Sequence, residues 1–288
     1  MSAPVPRETD LIDLALAEDL GTAGDVTSRA FIPAESVSRA RIVARAACVV
    51  SGLALAAEVF RRVDPALTVT VRCAEGEELG LGDVLMEVFG STRSILSAER
   101  TALNFLGRLC GVATHARRHA DVVRGAAVQL LDTRKTTPGW RLLEKQAVKA
   151  GGCVNHRMGL HDAVLVKDNH LAALGDLSLL PPVIAQLRAE HPGLPVEVEA
   201  DTLGQVERLL AMRGIDVILL DNMSPETLRA AVALRNAKSP GVKLEASGGI
   251  TLASLHDIAV TGVERISLGA LTHSAPHADL SLEIGDGE

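Results

Sequence analysis

The stretch VEVEADTLGQVERLLAMRGIDVILLDN, residues 196–222, decides the fold class of this chain. It contains an apolar run at Val196–Ala200, a segment with helical spacing at Leu203–Arg213, and a second apolar run at Asp216–Leu220. Two short apolar runs joined by a helical segment are typical of a β-α-β unit, in which the strands are parallel and the helix crosses between them. The sequence therefore predicts an α/β fold with a parallel sheet.

The same alternation extends in both directions, from about residue 125 to residue 270. Thr202, Ser224 and Thr251 are plausible helix N-caps, and Pro225 suits a first helical position. Six strands are fewer than the eight of a closed barrel, so the pattern predicts an incomplete barrel or a doubly wound sheet. The predicted strands are Val128–Asp132, Ala163–Lys167, Val196–Ala200, Asp216–Leu220, Lys243–Ser247 and Arg265–Gly269, and the predicted helices are Trp140–Ala150, Pro182–Glu190, Leu203–Arg213, Pro225–Ala237 and Leu252–Val260.

The first part of the chain carries a different pattern. A short helix is predicted after Thr9, and leucines at helical spacing between Ser94 and Arg124 predict one or two further helices, with Gly107 or Gly111 as a break. The tail after His277 alternates and predicts one more strand returning to the first domain. β-Rich runs between the two helical regions predict strands at Ala40–Val50, Leu67–Arg72 and Val84–Phe89.

The composition limits the classes of function. With 288 residues, 47% of them hydrophobic, the chain can bury one large core or two modest ones. A net charge of −7 and an aromatic content of 2% without any Tyr argue against a nucleic-acid partner. The sequence contains no Cys-x-x-Cys pair, signal-peptide core or apolar run of membrane length. We therefore expect a cytoplasmic protein that binds neither nucleic acid nor a membrane.

One segment departs from this acidic average. Between Asp132 and His170 the sequence has seven Lys or Arg against four Asp or Glu, together with three His. A basic island in an acidic protein predicts a concave site for a small polyanion. A single His is usually structural, but the adjacent His156 and Arg157 within this island favour anion binding.

Charged residues follow the predicted strands where these end. Asp132–Lys135 follows the first strand and Lys167–His170 the second, Glu197 and Glu199 lie in the third, and Asp221 ends the fourth. In β/α folds, ligands bind beyond the carboxyl ends of the strands, where the loops converge. The pattern predicts a binding site, because packing alone does not place charges at four successive strand ends.

Glycines follow the last two predicted strands. Ser247–Gly248–Gly249 precedes a helix predicted to begin near Thr251, and Gly269–Ala270 follows the final strand. Main-chain N–H groups at such turns hold phosphates, because glycine allows a close approach. The alternative is an ordinary β-α turn, but the pairing of two such loops favours a phosphate.

The strand ends suggest a metal site and a rival chemistry. Glu199 and Asp221 lie on adjacent predicted strands and suit a Mg²⁺ that carries a pyrophosphate, although a solvated or salt-bridged pair is the alternative.

Lys167, at the end of V-L-V-K, resembles the nucleophile of a Schiff-base aldolase. The fixed cations nearby favour anion binding over that chemistry.

Nine segments of the sequence resemble the quinolinate phosphoribosyltransferase family. Three residues depart from the usual pattern of that family. Trp140 and Gln146 stand where Leu and Tyr are expected, and His161 replaces a commoner Tyr. All three are expected at the outer wall of the site, so the departures are modest. L-D-T-R-K-T-T-P-G and N-H-R-M-G-L are highly specific, whereas S-G-G alone is weak. The segments are E-D-L-G…G-D-V-T (18–27), S-A-E-R-T-A-L-N (97–104), L-D-T-R-K-T-T-P-G (131–139), N-H-R-M-G-L (155–160), V-K-D-N-H (166–170), V-E-V-E (196–199), L-L-D-N-M (219–223), E-A-S-G-G-I (245–250) and S-L-G-A-L-T-H-S (267–274).

The resemblance implies a two-domain α/β architecture like that of type II phosphoribosyltransferases. An N-terminal α/β sandwich domain would cover residues 1–110, joined by the C-terminal segment 275–288, and an incomplete barrel of about six strands would cover residues 111–274. It also implies a homodimer in which Arg100 of one subunit reaches the site of the other, with a hexamer built from dimers as the larger alternative.

The resemblance further implies transfer of phosphoribose from phosphoribosyl pyrophosphate to quinolinate with loss of CO2, which yields nicotinate mononucleotide for NAD biosynthesis. Three rivals are a nicotinate phosphoribosyltransferase, a Schiff-base lyase using Lys167, and a non-catalytic sensor of a phosphate ligand. Either Lys135 or Lys167 would assist decarboxylation. The implied quinolinate-binding residues are Arg100, Arg134, His156, Arg157 and Lys167; the phosphoribosyl pyrophosphate-binding residues are Lys135, Glu199, Asp221, Ser247, Gly248, Gly249, Gly269, Ala270 and His273; the Mg²⁺ ligands are Glu199 and Asp221; and the catalytic residues are Lys135, Glu199, Asp221 and Lys167.

Overall fold

The computed structural model describes residues 8–285. Within this range the chain has eleven α-helices and twelve strands, with a 3₁₀ turn at Leu177–Leu179. The helices are α1 (Glu8–Leu20), α2 (Val26–Phe31), α3 (Leu53–Val63), α4 (Thr92–Val122), α5 (Arg141–Ala150), α6 (Asp168–Leu174), α7 (Leu180–Glu190), α8 (Leu203–Leu210), α9 (Pro225–Lys238), α10 (Leu255–Ala259) and α11 (Ala270–His273). The strands are β1 (Val37–Ala44), β2 (Cys48–Val49), β3 (Thr68–Val71), β4 (Glu78–Leu79), β5 (Val84–Ser91), β6 (Gln129–Leu131), β7 (Val164–Val166), β8 (Val196–Ala200), β9 (Val217–Asp221), β10 (Lys243–Ser247), β11 (Arg265–Ser267) and β12 (Leu280–Gly285).

The chain forms two compact units. Among residues 8–285, no single helix is long and apolar enough to cross a membrane; the bent pair α6 and Leu177–Glu190 passes that test by length and composition only. Within the described residues, the first unit comprises residues 8–117, Thr136–Gly152 and residues 271–285, and the second comprises Arg118–Lys135 and Cys153–Ala270.

The first unit is built on an antiparallel sheet of four strands in the order β12-β1-β5-β3. The tail strand β12 pairs with β1, with Ala40 opposite Ile284, so this sheet combines residues from the two ends of the described chain. Helix α3 buries an apolar face that includes Leu53, Val59 and Phe60. No helix is predicted from the sequence at α3, which lies between the β-rich runs predicted at Ala40–Val50 and Leu67–Arg72.

Helix α4 is continuous over 31 residues, and the break predicted at Gly107 or Gly111 is absent from it. The two glycines face the C-terminal segment instead. The Ala278 N–H donates to Gly107 O at 2.8 Å, and a Cβ on Gly111 would lie 1.9 Å from Pro276 O. Glycine at these positions therefore permits a close backbone crossing, and it does not end the helix.

The second unit is an incomplete α/β barrel. Its six parallel strands follow the order β6-β11-β10-β9-β8-β7. Strands β7 to β11 therefore lie side by side in chain order, and the first strand β6 lies beside the last strand β11. A doubly wound sheet would instead reverse direction partway, so this order excludes that alternative. The pair missing for closure is β6 with β7. A single bridge from Leu131 to Val154 extends the β6 edge, and residues 155–163 run from there to β7.

The helices of this unit begin where the sequence places their caps. The Ser224 hydroxyl accepts from the Thr227 N–H, and Thr202 and Gln205 form a reciprocal capping box. The helix predicted at Leu252–Val260 is shorter, because Thr251 and Ser254 hydrogen-bond to each other in a turn and α10 begins only at Leu255. Helix α6, directly after β7, was not predicted.

Candidate active site

Three carboxylates gather beyond the carboxyl ends of β8 and β9. One carboxylate oxygen each from Glu199, Asp201 and Asp221 lies within 4.8 Å of the others. Burial first, then the neighbouring Glu199 charge, raises the pKa of Asp221 above its ordinary value. Only oxygen ligands are offered, and part of the negative charge is uncompensated, so this set fits a hard divalent cation such as Mg²⁺. Sequence reasoning missed Asp201, whose position two residues after Glu199 was the only signal for it.

Lys167 compensates one of these carboxylates. Its ammonium Nζ lies 2.7 Å from Glu199 Oε2, while the Asp168 N–H donates to Glu199 Oε1 at 3.2 Å. The Lys167 side chain is 48% exposed and that of Glu199 only 5%, so the lysine covers a buried carboxylate from the solvent side. The strand end of β7 is thereby tied to that of β8.

Arg134 and Arg157 form a pair of neighbouring cations. Burial first, then the charge of Arg134, lowers the pKa of Arg157. Arg157 Nη1 donates to Ala163 O at 3.1 Å, and Arg134 Nε is buried with no hydrogen-bond partner among residues 8–285. Two neighbouring guanidiniums, one of them carrying a buried donor without a partner, suit an anionic ligand.

His156 lies in a buried charged cluster beneath this pair. Its Nε2 is 3.1 Å from Glu197 Oε2 and 3.4 Å from Glu245 Oε1, and Glu245 Oε2 is 2.7 Å from Arg265 Nε. Burial lowers the pKa of His156, but hydrogen bonds to the two carboxylates outweigh it and raise the pKa to about 9. Burial likewise opposes the charge on Glu245, yet His156 and then Arg265 hold the pKa of Glu245 below its ordinary value. Sequence reasoning assigned no role to Glu245 or Arg265.

Asp132 fixes the main chain at His156. Its side chain is fully buried, and Asp132 Oδ1 accepts from the His156 N–H at 2.8 Å. Because Asp132 follows β6 directly, this hydrogen bond anchors the start of segment 155–163 to the β6 edge. Arg157 is the next residue, so the same bond helps to place its guanidinium.

The Gly248–Gly249 turn lies against the end of β9. Both glycines have positive φ, at 87° and 59°, and a Cβ on Gly248 would lie 2.3 Å from Asn222 Oδ1. Asn222, itself at φ 53°, donates from Nδ2 to Asp221 Oδ2 at 2.5 Å and from its main-chain N–H to Ser247 O at 2.9 Å. The turn and the carboxylate cluster therefore share Asn222 as a common neighbour.

The remaining predicted residues are placed as follows. Lys135 is exposed, and its main-chain N–H donates to Thr133 Oγ1 at 3.1 Å. Gly269 and Ala270 are half-buried directly beyond β11. Arg100 on α4 and His273 on α11 are exposed residues of the first unit.

Trp140, a departure from the family pattern, also belongs to the first unit. Its ring stacks on Phe105, with the centroids 4.8 Å apart. This contact agrees with a packing role for the side chain.

The structure brings together two groups of predicted residues within the second unit. Glu199, Asp221, Lys167 and the Gly248–Gly249 turn form one group, connected by the contacts above. Arg134, Arg157 and His156 form the other. Glu197 and Glu199 connect the groups, because residues two apart on β8 point to the same face of the sheet.

Comparisons with known proteins identify the family of the chain. The model of the quinolinate phosphoribosyl transferase N-terminal domain matches residues 25–110, and that of the C-terminal domain matches residues 112–283. The chain belongs to the quinolinate phosphoribosyltransferase family.

Similar proteins carry the corresponding names. The chain is 40% identical over 270 residues to a probable nicotinate-nucleotide pyrophosphorylase (carboxylating) of Synechocystis sp., covering 93% of this chain and 90% of that protein. It is 40% identical over 277 residues to the nicotinate-nucleotide pyrophosphorylase (carboxylating) of Mycobacterium leprae, covering 96% of each. The solved nicotinate-nucleotide pyrophosphorylase of Francisella tularensis superposes with a TM-score of 0.89 at 35% identity, covering 99% of this chain and 98% of that one.

Proposed function

We propose that this chain transfers the phosphoribosyl group of phosphoribosyl pyrophosphate to quinolinate and removes one carboxylate, which yields nicotinate mononucleotide, pyrophosphate and CO2 for NAD biosynthesis. The observation that carries the proposal is the Arg134–Arg157 pair, in which the buried Nε of Arg134 is left for an anionic ligand. The neighbouring carboxylate cluster suits a metal ion that carries pyrophosphate. A site that bound only the acid would not need such a cluster.

The acid subsite contains Arg134 and Arg157. Quinolinate has two adjacent carboxylates, and guanidinium groups bind carboxylates through paired N–H donors. Arg134 Nε is one donor available for this purpose. Lys167 would lie between this subsite and the carboxylate cluster, because its ammonium group contacts the Glu199 carboxylate.

The phosphoribosyl pyrophosphate subsite contains Glu199 and Asp221, with Asp201 as a third carboxylate. These residues would hold Mg²⁺, which would offset the charge that builds on the departing pyrophosphate. Lys135 would bind the pyrophosphate as an exposed cation. The 5-phosphate is assigned to main-chain N–H groups of Ser247, Gly248, Gly249, Gly269 and Ala270, with His273 from the first unit as predicted from the sequence.

The residues of this chain would act on the reaction chiefly through position and charge. As pyrophosphate leaves, C1 of the ribose gains positive character, which the Glu199 carboxylate stabilises electrostatically. Arg134 and Arg157 hold the acid so that its ring nitrogen faces C1. Once the nitrogen is alkylated, the cationic ring accepts the electron pair left by departing CO2, and a proton then replaces the carboxylate at C2. Lys135 and Lys167 are the two candidate donors of that proton.

The proposal includes a cytoplasmic homodimer in which Arg100 completes the acid subsite of the partner subunit. Family membership and the exposed position of Arg100 on α4 support this part. Mixing Arg100→Ala subunits with Lys135→Ala subunits should restore part of the activity, because one of the two sites in each heterodimer keeps both residues. Verified heterodimers without any recovered activity would contradict a shared site.

A coupled assay tests the function itself. Purified protein with quinolinate, phosphoribosyl pyrophosphate and Mg²⁺ should release CO2 and nicotinate mononucleotide in equal amounts. Activity with nicotinate in place of quinolinate would favour the single-carboxylate rival. Borohydride trapping of a substrate on Lys167 would favour a Schiff-base lyase, whereas the Lys167 ammonium lies against the Glu199 carboxylate. Binding without turnover would favour a sensor.

A further inference from the structure

The buried cluster of His156, Glu197, Glu245 and Arg265 lies on the same sheet as the carboxylate cluster. Glu197 is in β8, Glu245 in β10 and Arg265 in β11, where Glu245 and Arg265 are register partners. The side chains of Glu197 and Glu245 are 5% and 0% exposed. Charges this deeply buried require compensation close by.

The four charges balance when His156 is protonated. Two carboxylates face two cations, with Nε2 of His156 between Glu197 and Glu245, and Arg265 against the far oxygen of Glu245. Arg265 therefore offsets the charge of Glu245 from one side as an ion pair, and His156 is left to share its positive charge with Glu197. Asp132 binds the main chain of His156, and Arg157 follows His156 in the chain, so both add charge near the ring.

Glu197 also lies in the neighbourhood of Arg157, because its carboxylate contacts the ring of the preceding residue, His156. Arg157 Nη1 in turn donates to Ala163 O, two residues before Leu165, which is the register partner of Glu197. One oxygen of Glu197, Oε1, is buried and has no hydrogen-bond partner within the described range 8–285. A carboxylate in this position competes with an acid substrate for the same guanidinium. Its other oxygen is held by His156, which keeps the carboxylate from turning fully towards Arg157.

We propose that Arg265, acting through Glu245 and His156, is a positioning residue that prevents Glu197 from neutralising the arginines of the acid subsite. The inference rests on the proposed function, because it concerns affinity for the dicarboxylate substrate. Without Arg265, Glu245 draws His156 towards itself, and Glu197 is released to pair with Arg157. Arg265 would thus determine how strongly an acid binds without touching it.

A double-mutant cycle tests this role. Arg265→Gln should raise the KM for quinolinate about tenfold, while the KM for phosphoribosyl pyrophosphate and kcat stay within about twofold. Adding Glu197→Gln to Arg265→Gln should lower the quinolinate KM again, because the remaining His156–Glu245 pair is neutral and Arg157 is unopposed. Arg265→Lys keeps the charge and should stay within about threefold of the unsubstituted protein.

A purely structural Arg265 gives the opposite result. Adding Glu197→Gln to Arg265→Gln would then lower the thermal midpoint further, and the quinolinate KM would stay as high as in Arg265→Gln or rise above it. That result would overturn the inference. If Arg265→Gln does not fold, Glu197→Gln alone decides the matter. The calorimetric Kd for quinolinate should fall about threefold on removal of a competing carboxylate, and an unchanged or higher Kd would overturn the inference. Lack of turnover by the unsubstituted protein would contradict the proposed function instead.

Discussion

Two groups of acidic residues on one sheet behave in opposite ways. Glu197 and Glu245 are buried against His156 and Arg265, and their charges are matched within the protein. Glu199, Asp201 and Asp221 lie at the strand ends, where the ammonium group of Lys167 contacts one of them, Glu199. The pKa of Glu245 is accordingly lowered and that of Asp221 raised, with burial opposing the charge in both.

Charge balance, and not the presence of carboxylates, therefore distinguishes a structural ion cluster from a binding site in this sheet. In a matched set, the charges of the side chains offset one another within the protein. An unmatched set is costly to hold together and gains stability from a cation supplied by solvent. The two sets lie only two residues apart along β8, so substitutions can address each separately.

The largest effect is expected at the unmatched set. Glu199→Gln should lower kcat by about a hundredfold, because it removes both a metal ligand and the carboxylate nearest the developing cation. Steady-state kinetics across a Mg²⁺ titration would measure this loss and a weaker apparent metal affinity. Glu207→Gln, an exposed residue of α8 paired with Lys238, is the matched control. Equal effects at the two positions would refute the metal assignment.

The next largest effect is expected at Arg134, one of the two arginines of the acid subsite. Arg134→Ala should raise the quinolinate KM about a hundredfold or abolish turnover, since it removes a donor that the protein leaves unpaired. Circular dichroism should show an unchanged fold. Arg208→Ala, in a surface pair with Asp176, provides the comparison. An unaltered KM would take Arg134 out of the acid subsite.

A smaller effect is expected where the glycine turn meets the unmatched set. Gly248→Ala places a Cβ at the Asn222 side chain and strains a residue with φ of 87°, so Asn222 must leave Asp221. The KM for phosphoribosyl pyrophosphate should rise about tenfold, with the quinolinate KM little changed. Gly241→Ala, in open space, should leave both constants unaffected. The phosphate assignment fails if the two variants behave alike.

The smallest effect tests the matched set by pH. The pKa of His156 is about 9 in the folded protein, above its ordinary value of 6.5. The stabilisation is therefore fully present below pH 6.5 and is lost as the pH rises through 9, by on the order of 3 kcal/mol. Urea unfolding at pH 6 and pH 9.5 would measure the difference, and His156→Gln should remove it. NMR titration of the ring to an ordinary pKa would contradict a matched cluster.

Much of the second unit could be predicted from the sequence. Val196–Ala200 and Lys243–Ser247 are strands with the predicted bounds, because short apolar runs between capped helices have few other structures available. The order of the strands was not predictable, and the barrel was separated from a doubly wound sheet only by the pairing of β6 with β11. Local sequence does not specify which edge a strand joins.

The site shows the same division. Arg134, Lys167, Glu199 and Asp221 were predicted because charged residues at strand ends are visible in the sequence. Glu245 and Arg265 were overlooked because their importance depends on cross-strand register, which only the folded sheet reveals. The glycines of α4 were misjudged for a related reason, since the segment that crosses them lies more than 160 residues further along the chain.

That crossing has a consequence for synthesis and folding. The N-terminal sheet cannot be completed until residues 280–285 have been made, because β12 supplies the partner that β1 would otherwise lack. A nascent chain must therefore carry an open strand edge throughout translation of the whole barrel. Such distant closure slows folding and exposes the edge to aggregation, so the parallel barrel is expected to mature first, with the tail then docking across Gly107 and Gly111 as the concluding step.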